Sequence, residues 1–296
     1  MHYRFLIGTM PVPGHVAPFA PVVRELRRRG HDVVWYGSRH FQKSIEATGA
    51  RFAPIRSEID FGDAQYDRHF PDRAKYDGLK KVVFDFEKLF VDSIPLMIED
   101  INAILADYPA DALIGDPAVA AIRILSDTKG YPSAVLNITV LGVESMDMAA
   151  FGLGMSFNNS PLGRLRNRLS YWLVDHVVFR SVNRRYRELA TRHGWPLMPF
   201  RPSVSKYLHL QPMVPSFDYP ISDIPRQLHF IGALLPEAPQ HFEPPAWWAR
   251  MLSSGKRVVL VTQGTIATDA DELIRPALEA LAGEDRHRVR RSPLLP

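Results

Sequence analysis

Cysteine is absent from the 296 residues of the chain, and its absence removes several kinds of chemistry. A disulfide framework, an iron–sulfur cluster, a cysteine-ligated zinc and a thiol nucleophile are all excluded. The absence is also typical of proteins from a reducing compartment.

Long apolar runs and a strong excess of one charge are missing as well. No apolar run reaches the roughly 18 residues that a membrane-spanning helix needs, and the apolar stretch at residues 2–8 is too short for a signal peptide. We therefore expect a cytoplasmic protein. The net charge is +4, from 36 basic and 32 acidic residues, which is too small to indicate a nucleic-acid partner.

The positive charge is concentrated in one segment. Between Arg164 and Arg201, nine arginines stand against Asp175 and Glu188. One interpretation is a helical face exposed to water, with the apolar positions packed inward. These positions include Leu169, Trp172, Leu173, Val177 and Val178. The alternative is a surface for an acidic partner or an anionic membrane, so a peripheral membrane contact through residues 164–201 stays open.

Short apolar strands alternate with helices from the N-terminus onward. The predicted strands of the first part of the chain cover residues 4–8, 31–36, 51–55, 111–115 and 133–137. Apolar residues at helical spacing follow the first strand, from Val16 to Leu26. This β-α-β-α-β order predicts an α/β fold with a Rossmann-like parallel sheet.

Composition divides the chain into three predicted parts. Residues 1–207 form the N-terminal Rossmann-like domain. Residues 208–245 are dense in proline and are interpreted as a linker with one strand at 228–232. Residues 246–296 begin a second domain with a strand at 257–262, but they supply only one β-α unit, which cannot enclose a core.

Several well-known site motifs are missing. Gly8 and Gly14 have five residues between them and do not form the G-x-G-x-x-G fingerprint of dinucleotide sites. The sequence also lacks the Walker A, H-E-x-x-H and G-x-S-x-G patterns. An unrelated Rossmann-like nucleotide binder is therefore disfavoured, and no metal is expected.

Two polar residues follow strands of the predicted sheet. His15 lies in the turn after the first strand, and Asp116 directly follows the fourth. Ligands of open parallel sheets bind at this edge, where a histidine can act as a general base and a carboxylate can orient it. His15 fits a turn or capping residue equally well, and Asp116 fits a helix N-cap, so the spacing alone leaves both interpretations open.

The segment from Gly8 to Trp35 carries a family resemblance. Beginning Gly8-Thr-Met-Pro-Val-Pro-Gly-His15, it resembles the opening of the family 1, UDP-glycosyltransferase-like glycosyltransferases of the GT-B fold. The bacterial macrolide and natural-product enzymes are the most similar group. Later segments at 111–116, 228–232 and 258–265 follow in the family's order, so the resemblance extends to about residue 282.

The resemblance implies an enzyme that moves a sugar, with inversion, from a nucleotide sugar to a hydroxyl of a small apolar acceptor. Neither a metal nor another cofactor is implied. His15 would be the general base and Asp116 its partner. The implied binding residues are Gly264 and Thr265 for the donor, and Pro13, Phe86 and Thr139 for the acceptor.

The chain departs from the family pattern near its end. The family's donor signature, a His-Gly-Gly-like run followed by an acidic residue and Gln, has no match here. We therefore interpret the chain as truncated within its donor domain, expect it to be inactive alone, and interpret the tail at 286–296 as the product of a shifted reading frame. The alternative function is a non-catalytic acceptor-binding remnant or a helper of a partner transferase.

Overall fold

The computed structural model describes residues 1–62, 66–202, 204–235, 242–263 and 269–282, and the backbone of 286–290. The chain divides into two compact units, Met1–Pro236 and Glu237–Pro296.

A seven-stranded sheet forms the centre of the larger unit, within the described residues. Its strands are β1 (Arg4–Gly8), β2 (Asp32–Gly37), β3 (Arg51–Pro54), β4 (Ala112–Gly115), β5 (Ser133–Leu136), β6 (Leu208–Gln211) and β7 (Leu228–Phe230). Their order is β3-β2-β1-β4-β5-β6-β7, and every neighbouring pair is parallel. The predicted α/β fold class with a Rossmann-like parallel sheet is confirmed.

The described helices of the larger unit connect these strands. They are α1 (Pro13–Val16), α2 (Phe19–Arg28), α3 (Gln42–Glu46), α4 (Tyr66–His69), α5 (Gly78–Asp85), α6 (Ile94–Asp107), α7 (Ala120–Lys129), α8 (Pro161–Leu173) and α9 (Arg180–His193). Turns of π-helix at Phe86–Val91 and Val174–Val178 follow α5 and α8. Among the helices described, none combines the length and apolar character needed to cross a bilayer.

The sheet is buried on both faces because its side chains alternate between two apolar clusters. On β1, Leu6 packs into the cluster that contains Met97 of α6, and Ile7 packs into the one that contains Phe19 of α2. All four side chains are almost completely buried. The sheet is thus packed between two apolar layers, which position the carboxyl ends of its strands.

The adjacent strands β1 and β4 both end in glycine. Gly8 and Gly115 are opposite each other in the parallel register, and the Ile122 side chain of α7 fills the space above both. A Cβ atom built at Gly115 would lie 2.5 Å from Ile122 Cδ1. The absence of side chains here lets α7 pack closely against the strand ends, where the loops after β1 and β4 begin.

Residues 208–236 belong to the larger unit, so the predicted linker at 208–245 is wrong in this part. Strands β6 and β7 add to the sheet edge, and the boundary between the units lies after Pro236 rather than after residue 207. Prolines did not prevent this, because those between the two strands lie in the connection and remove no ladder hydrogen bond.

The arginine-rich segment differs from its first interpretation. Leu169, Trp172 and Val177 are more than half exposed, Leu173 is exposed and Val178 is only partly buried. The inward packing predicted for these residues is therefore wrong. Helix α8 instead buries small and polar residues, namely Gly163, Asn167 and Ser170.

The described part of the smaller unit contains α10 (Ala246–Ser253), β8 (Arg257–Val261), α11 (Ile274–Ala280) and β9 (Arg286–Arg290). Strands β8 and β9 are parallel neighbours. Strand β9 lies in the tail although its sequence has no apolar alternation, because ladder hydrogen bonds use backbone groups. The apolar side chains of Val258 and Leu260 on β8 are exposed.

Candidate active site

The loop after β1 positions His15 at the carboxyl edge of the sheet. The Nε1–H group of Trp35 on β2 donates to Thr9 Oγ1 at 3.0 Å, and both side chains are buried. Pro13 then starts the single helical turn α1, and the His15 backbone N–H donates to the Val12 carbonyl at 2.9 Å. Proline suits this position because the first N–H of a helix has no internal partner.

Asp116 connects the loop after β4 to the loop after β1. Its side chain is completely buried. Oδ2 accepts a hydrogen bond from the Met10 backbone N–H at 2.8 Å, and Oδ1 accepts one from the Ala118 N–H at 2.7 Å. Because Val119 occupies the N-cap position of α7, Asp116 closes the preceding turn and is not the helix N-cap.

His15 and Asp116 meet at this edge, as predicted. His15 Nδ1 lies 3.2 Å from Asp116 Oδ2, and the imidazole is 19% exposed. The ring is turned so that its Nδ1 does not form a well-aligned hydrogen bond with the carboxylate. The distance nevertheless lets a small ring rotation bring a proton on Nδ1 into line with Oδ2.

A cavity of about 250 Å³ opens beside His15. Most of its wall is apolar and aromatic, with side chains from several elements of the larger unit. The aromatic residues in the wall are Phe86, Phe90, Phe151 and Phe200. Thr139 and Phe86, two of the predicted acceptor residues, line this cavity. Pro13 is not among the lining residues and acts instead as the start of α1.

A second apolar chamber, of about 180 Å³, adjoins the first. The two share Phe86, Phe151 and Phe200 as common walls. Leu79 of α5 and Phe179 contribute to the far side. Both cavities are therefore bordered by the same aromatic side chains.

Two polar residues of the cavity were missed by the sequence analysis. Asn137 follows β5, and its Nδ2 donates to Gln211 Oε1 at 2.6 Å. His209 lies on β6 and is 2% exposed, and burial lowers its pKa to about 4. The sequence signal for His209 was its alternation, together with Gln211, with the apolar residues of the short run at 208–211. This run lies in the segment that was assigned to a linker.

The other predicted site residues are not tested by this geometry. Gly264 and Thr265, the predicted donor contacts, lie outside the described residues. Over the described ranges, no group of three or more His, Asp or Glu side chains is arranged to hold a metal ion.

Known proteins with similar sequences are glycosyltransferases or synthases. The chain is 39% identical over 289 residues to 4'-demethylrebeccamycin synthase of Lentzea aerocolonigenes, covering 96% of this chain and 68% of that protein. It is 26% identical over 293 residues to UDP-glucosyltransferase A1 of Starmerella bombicola, covering 93% and 61%. The chain thus spans about two thirds of the length of these relatives. No protein-family model matches it.

Solved structures show the same fold. The glycotransferase of kitacinnamycin superposes with a TM-score of 0.68 at 19% identity, covering 98% of this chain and 66% of that one. The calicheamicin glycosyltransferase CalG4 gives a TM-score of 0.61 at 19% identity, covering 98% and 64%. The identity over nearly the whole chain and the shared sheet together establish the relationship. The chain belongs to the family 1 glycosyltransferases of the GT-B fold.

Proposed function

We propose that the larger unit binds and activates the acceptor in an inverting glycosyltransferase, with His15 as general base. The observation that carries this proposal is the contact of His15 with the buried Asp116 at the wall of an aromatic cavity. With a proton on Nδ1 facing Asp116, the Nε2 lone pair is free to accept the proton of an acceptor hydroxyl.

The reaction is a single displacement. His15 Nε2 takes the hydroxyl proton while the acceptor oxygen forms a bond to the anomeric carbon of the sugar. The nucleoside diphosphate leaves from the opposite face with the electron pair of its C–O bond, which inverts the anomeric centre. The negative charge of Asp116 stabilises the imidazolium that forms, so no metal is required for this proton transfer.

The donor is proposed to be a nucleoside-diphosphate sugar, held in part by Gly264 and Thr265. Relatives named as UDP-glucosyltransferases support this class, and one solved neighbour, SsfS6 of Streptomyces sp. SF2575, is complexed with thymidine diphosphate. Backbone N–H groups and a hydroxyl after a strand suit a diphosphate. The acceptor is proposed to be a hydroxylated aromatic molecule, because aromatic side chains form much of the cavity wall.

Sugar-transfer kinetics test the base directly. In a version of the chain whose donor domain is completed with the corresponding part of a relative, and with a panel of UDP and TDP sugars and 4-methylumbelliferone as the acceptor, we expect His15→Ala to reduce kcat by about 10²- to 10⁴-fold. His229→Ala is the matched control, since this histidine is exposed on β7. Equal kcat values for wild type and His15→Ala would contradict the base role. Tight acceptor binding without transfer would favour the alternative of a non-catalytic acceptor-binding protein.

The exposed stripe of α8 is proposed as a peripheral membrane contact. Leu165, Leu169 and Trp172 recur at helical spacing on its outside, and Arg168 lies between them. An apolar stripe with flanking arginines suits an anionic surface. Co-sedimentation with phosphatidylserine vesicles should fall with added salt and with Leu169→Glu, and absence of sedimentation at low salt would refute this contact.

A further inference from the structure

His209 is a buried histidine that the proposed proton transfer does not use. It lies on β6, opposite Val135 of β5, and only 2% of it is exposed. Alternation along the strand places it on the same face as Gln211, whereas Leu210 packs into the apolar cluster on the other face.

Neither ring nitrogen of His209 has a hydrogen-bond partner within the described residues. The ring plays no part in the pairing of the strand, because it is the His209 backbone N–H that donates to the Gln227 carbonyl, at 2.8 Å. Its polar neighbours in the sheet are paired: Asn137 bonds Gln211, and the Gln211 amide donates to the Thr139 carbonyl at 3.0 Å. Buried polar groups are nearly always paired, so a bare imidazole here needs an explanation.

The explanation lies in the position of the ring. His209 lines the same 250 Å³ cavity as His15, together with Asn137 and Thr139. Burial keeps the pKa of His209 at about 4, so the ring is neutral near pH 7. A neutral imidazole has one N–H donor and one lone-pair acceptor. It can therefore pair with a hydroxyl, a carbonyl or an N–H group of a molecule in the cavity.

We propose that His209 selects the acceptor by hydrogen bonding to a second polar group, away from the hydroxyl that receives the sugar. The inference rests on the proposed acceptor cavity and defines the substrate class further. The acceptor is a flat aromatic molecule with two separated hydrogen-bonding groups, one at His15 and one at His209. A molecule without the second group leaves the buried ring unpaired and binds less well.

Binding of two matched probes to the full chain tests this selection. The pair is 2-naphthol and 2,6-dihydroxynaphthalene, which differ only in a second hydroxyl that can donate and accept. Fluorescence titration should give a Kd about tenfold lower for the diol, the size expected for one added hydrogen bond. In His209→Leu the preference should disappear, and in His209→Gln part of it should return. His229→Leu on the exposed face of β7 is the control and should keep it.

A spectroscopic measurement separates recognition from simple packing. In chain labelled with ¹⁵N-histidine, the His209 ring signals are assigned by their loss in His209→Leu. Adding the diol should fix one tautomer and shift these ring ¹⁵N signals, whereas 2-naphthol should leave them in place. The titration itself uses the wild-type chain, and the variant serves only to assign the ring signals.

The outcomes distinguish the two proposals. If both naphthols bind but the diol preference is absent, or persists unchanged in His209→Leu, the role of His209 is overturned while the acceptor cavity stands. Unshifted His209 ring signals in the presence of the diol overturn it too. If neither probe binds the wild-type chain at millimolar concentration, the acceptor cavity itself is contradicted, and the inference fails with it.

Discussion

Asp116 joins the two loops that form the candidate site. Its buried carboxylate holds the backbone N–H groups of Met10 and Ala118 and lies against His15. We expect Asp116→Ala to lower the free energy of unfolding by about 3 kcal/mol, because it removes two charge-assisted hydrogen bonds and leaves interior N–H groups unpaired. Urea unfolding measures this loss.

A matched control for Asp116 lies at the other end of β4. The Asp111 carboxylate also accepts a backbone N–H across the sheet, from Arg4 at 2.7 Å, but it does so at an exposed position. Asp111→Ala should lower the free energy of unfolding by less than about 1 kcal/mol. Equal losses in the two variants would show that the burial of Asp116 contributes nothing to its importance.

The buried imidazole of His209 should make stability depend on pH. Burial lowers its pKa from 6.5 to about 4. Below pH 6.5 the unfolded chain takes up a proton that the folded chain does not, so stability is lost as the pH falls toward 4. We expect His209→Leu to remove up to about 3 kcal/mol of this pH-dependent loss.

Unfolding free energies at pH 7 and pH 4.5, for wild type and His209→Leu, check that prediction. All other titrating groups are common to both proteins, so the difference between the two pH dependences reports His209. Parallel pH dependences would mean that the His209 ring is solvated or paired in the folded protein. The residue would then be a poor candidate for acceptor recognition.

Sequence reasoning could find His15 and Asp116 but could not find His209. The first two follow strands whose apolar runs are clear, and parallel topology brings strand ends to one edge. His209 lies inside a four-residue strand within a proline-rich segment. The His209 side chain is buried because β6 lies between β5 and β7 in the folded sheet, and a local sequence pattern does not predict this.

At the scale of elements, α8 is held by polar contacts rather than by its apolar residues. Asn167 is buried, and its Nδ2 donates to the carbonyls of Met146 and Asn158 at 2.9 and 3.1 Å. We expect Asn167→Ala to lower the free energy of unfolding by about 2 kcal/mol, since two carbonyls lose their partner. Leu169→Ala, two residues further on the exposed side, should change it by less than about 0.5 kcal/mol.

Denaturant titration of these two variants distinguishes the polar attachment from an apolar one. A larger loss for Leu169→Ala would mean that the apolar stripe packs inward in solution.

The comparison with α2 explains why the sequence analysis predicted inward packing for the apolar residues of α8. In α2 the apolar positions Phe19 and Val23 face the sheet, as helical periodicity predicts. In α8 the apolar positions lie on the outer face, and the inner face is held by the hydrogen bonds from Asn167 to two loop carbonyls.

At the scale of the whole molecule, the smaller unit leaves apolar strand surface open. Leu260 is 63% exposed and Val258 is 50% exposed on β8. Exposed apolar strands promote association between chains, so we expect the protein to self-associate at high concentration. Leu260→Lys should reduce this, and Lys256→Leu should not. Light scattering against concentration measures the effect, and unchanged association in Leu260→Lys would place the contact elsewhere.

The central claim is that His15 accepts a proton from an acceptor bound in the aromatic cavity. The most direct test is the absorbance of 4-nitrophenol bound to the full chain, because its phenol and phenolate forms absorb at different wavelengths and no sugar donor is needed. We predict that the wild-type chain raises the phenolate fraction of the bound probe at pH 6. The His15→Ala chain should bind the probe in its phenol form, and His229→Ala should match wild type. Identical spectra for the probe bound to wild type and to His15→Ala would contradict the account.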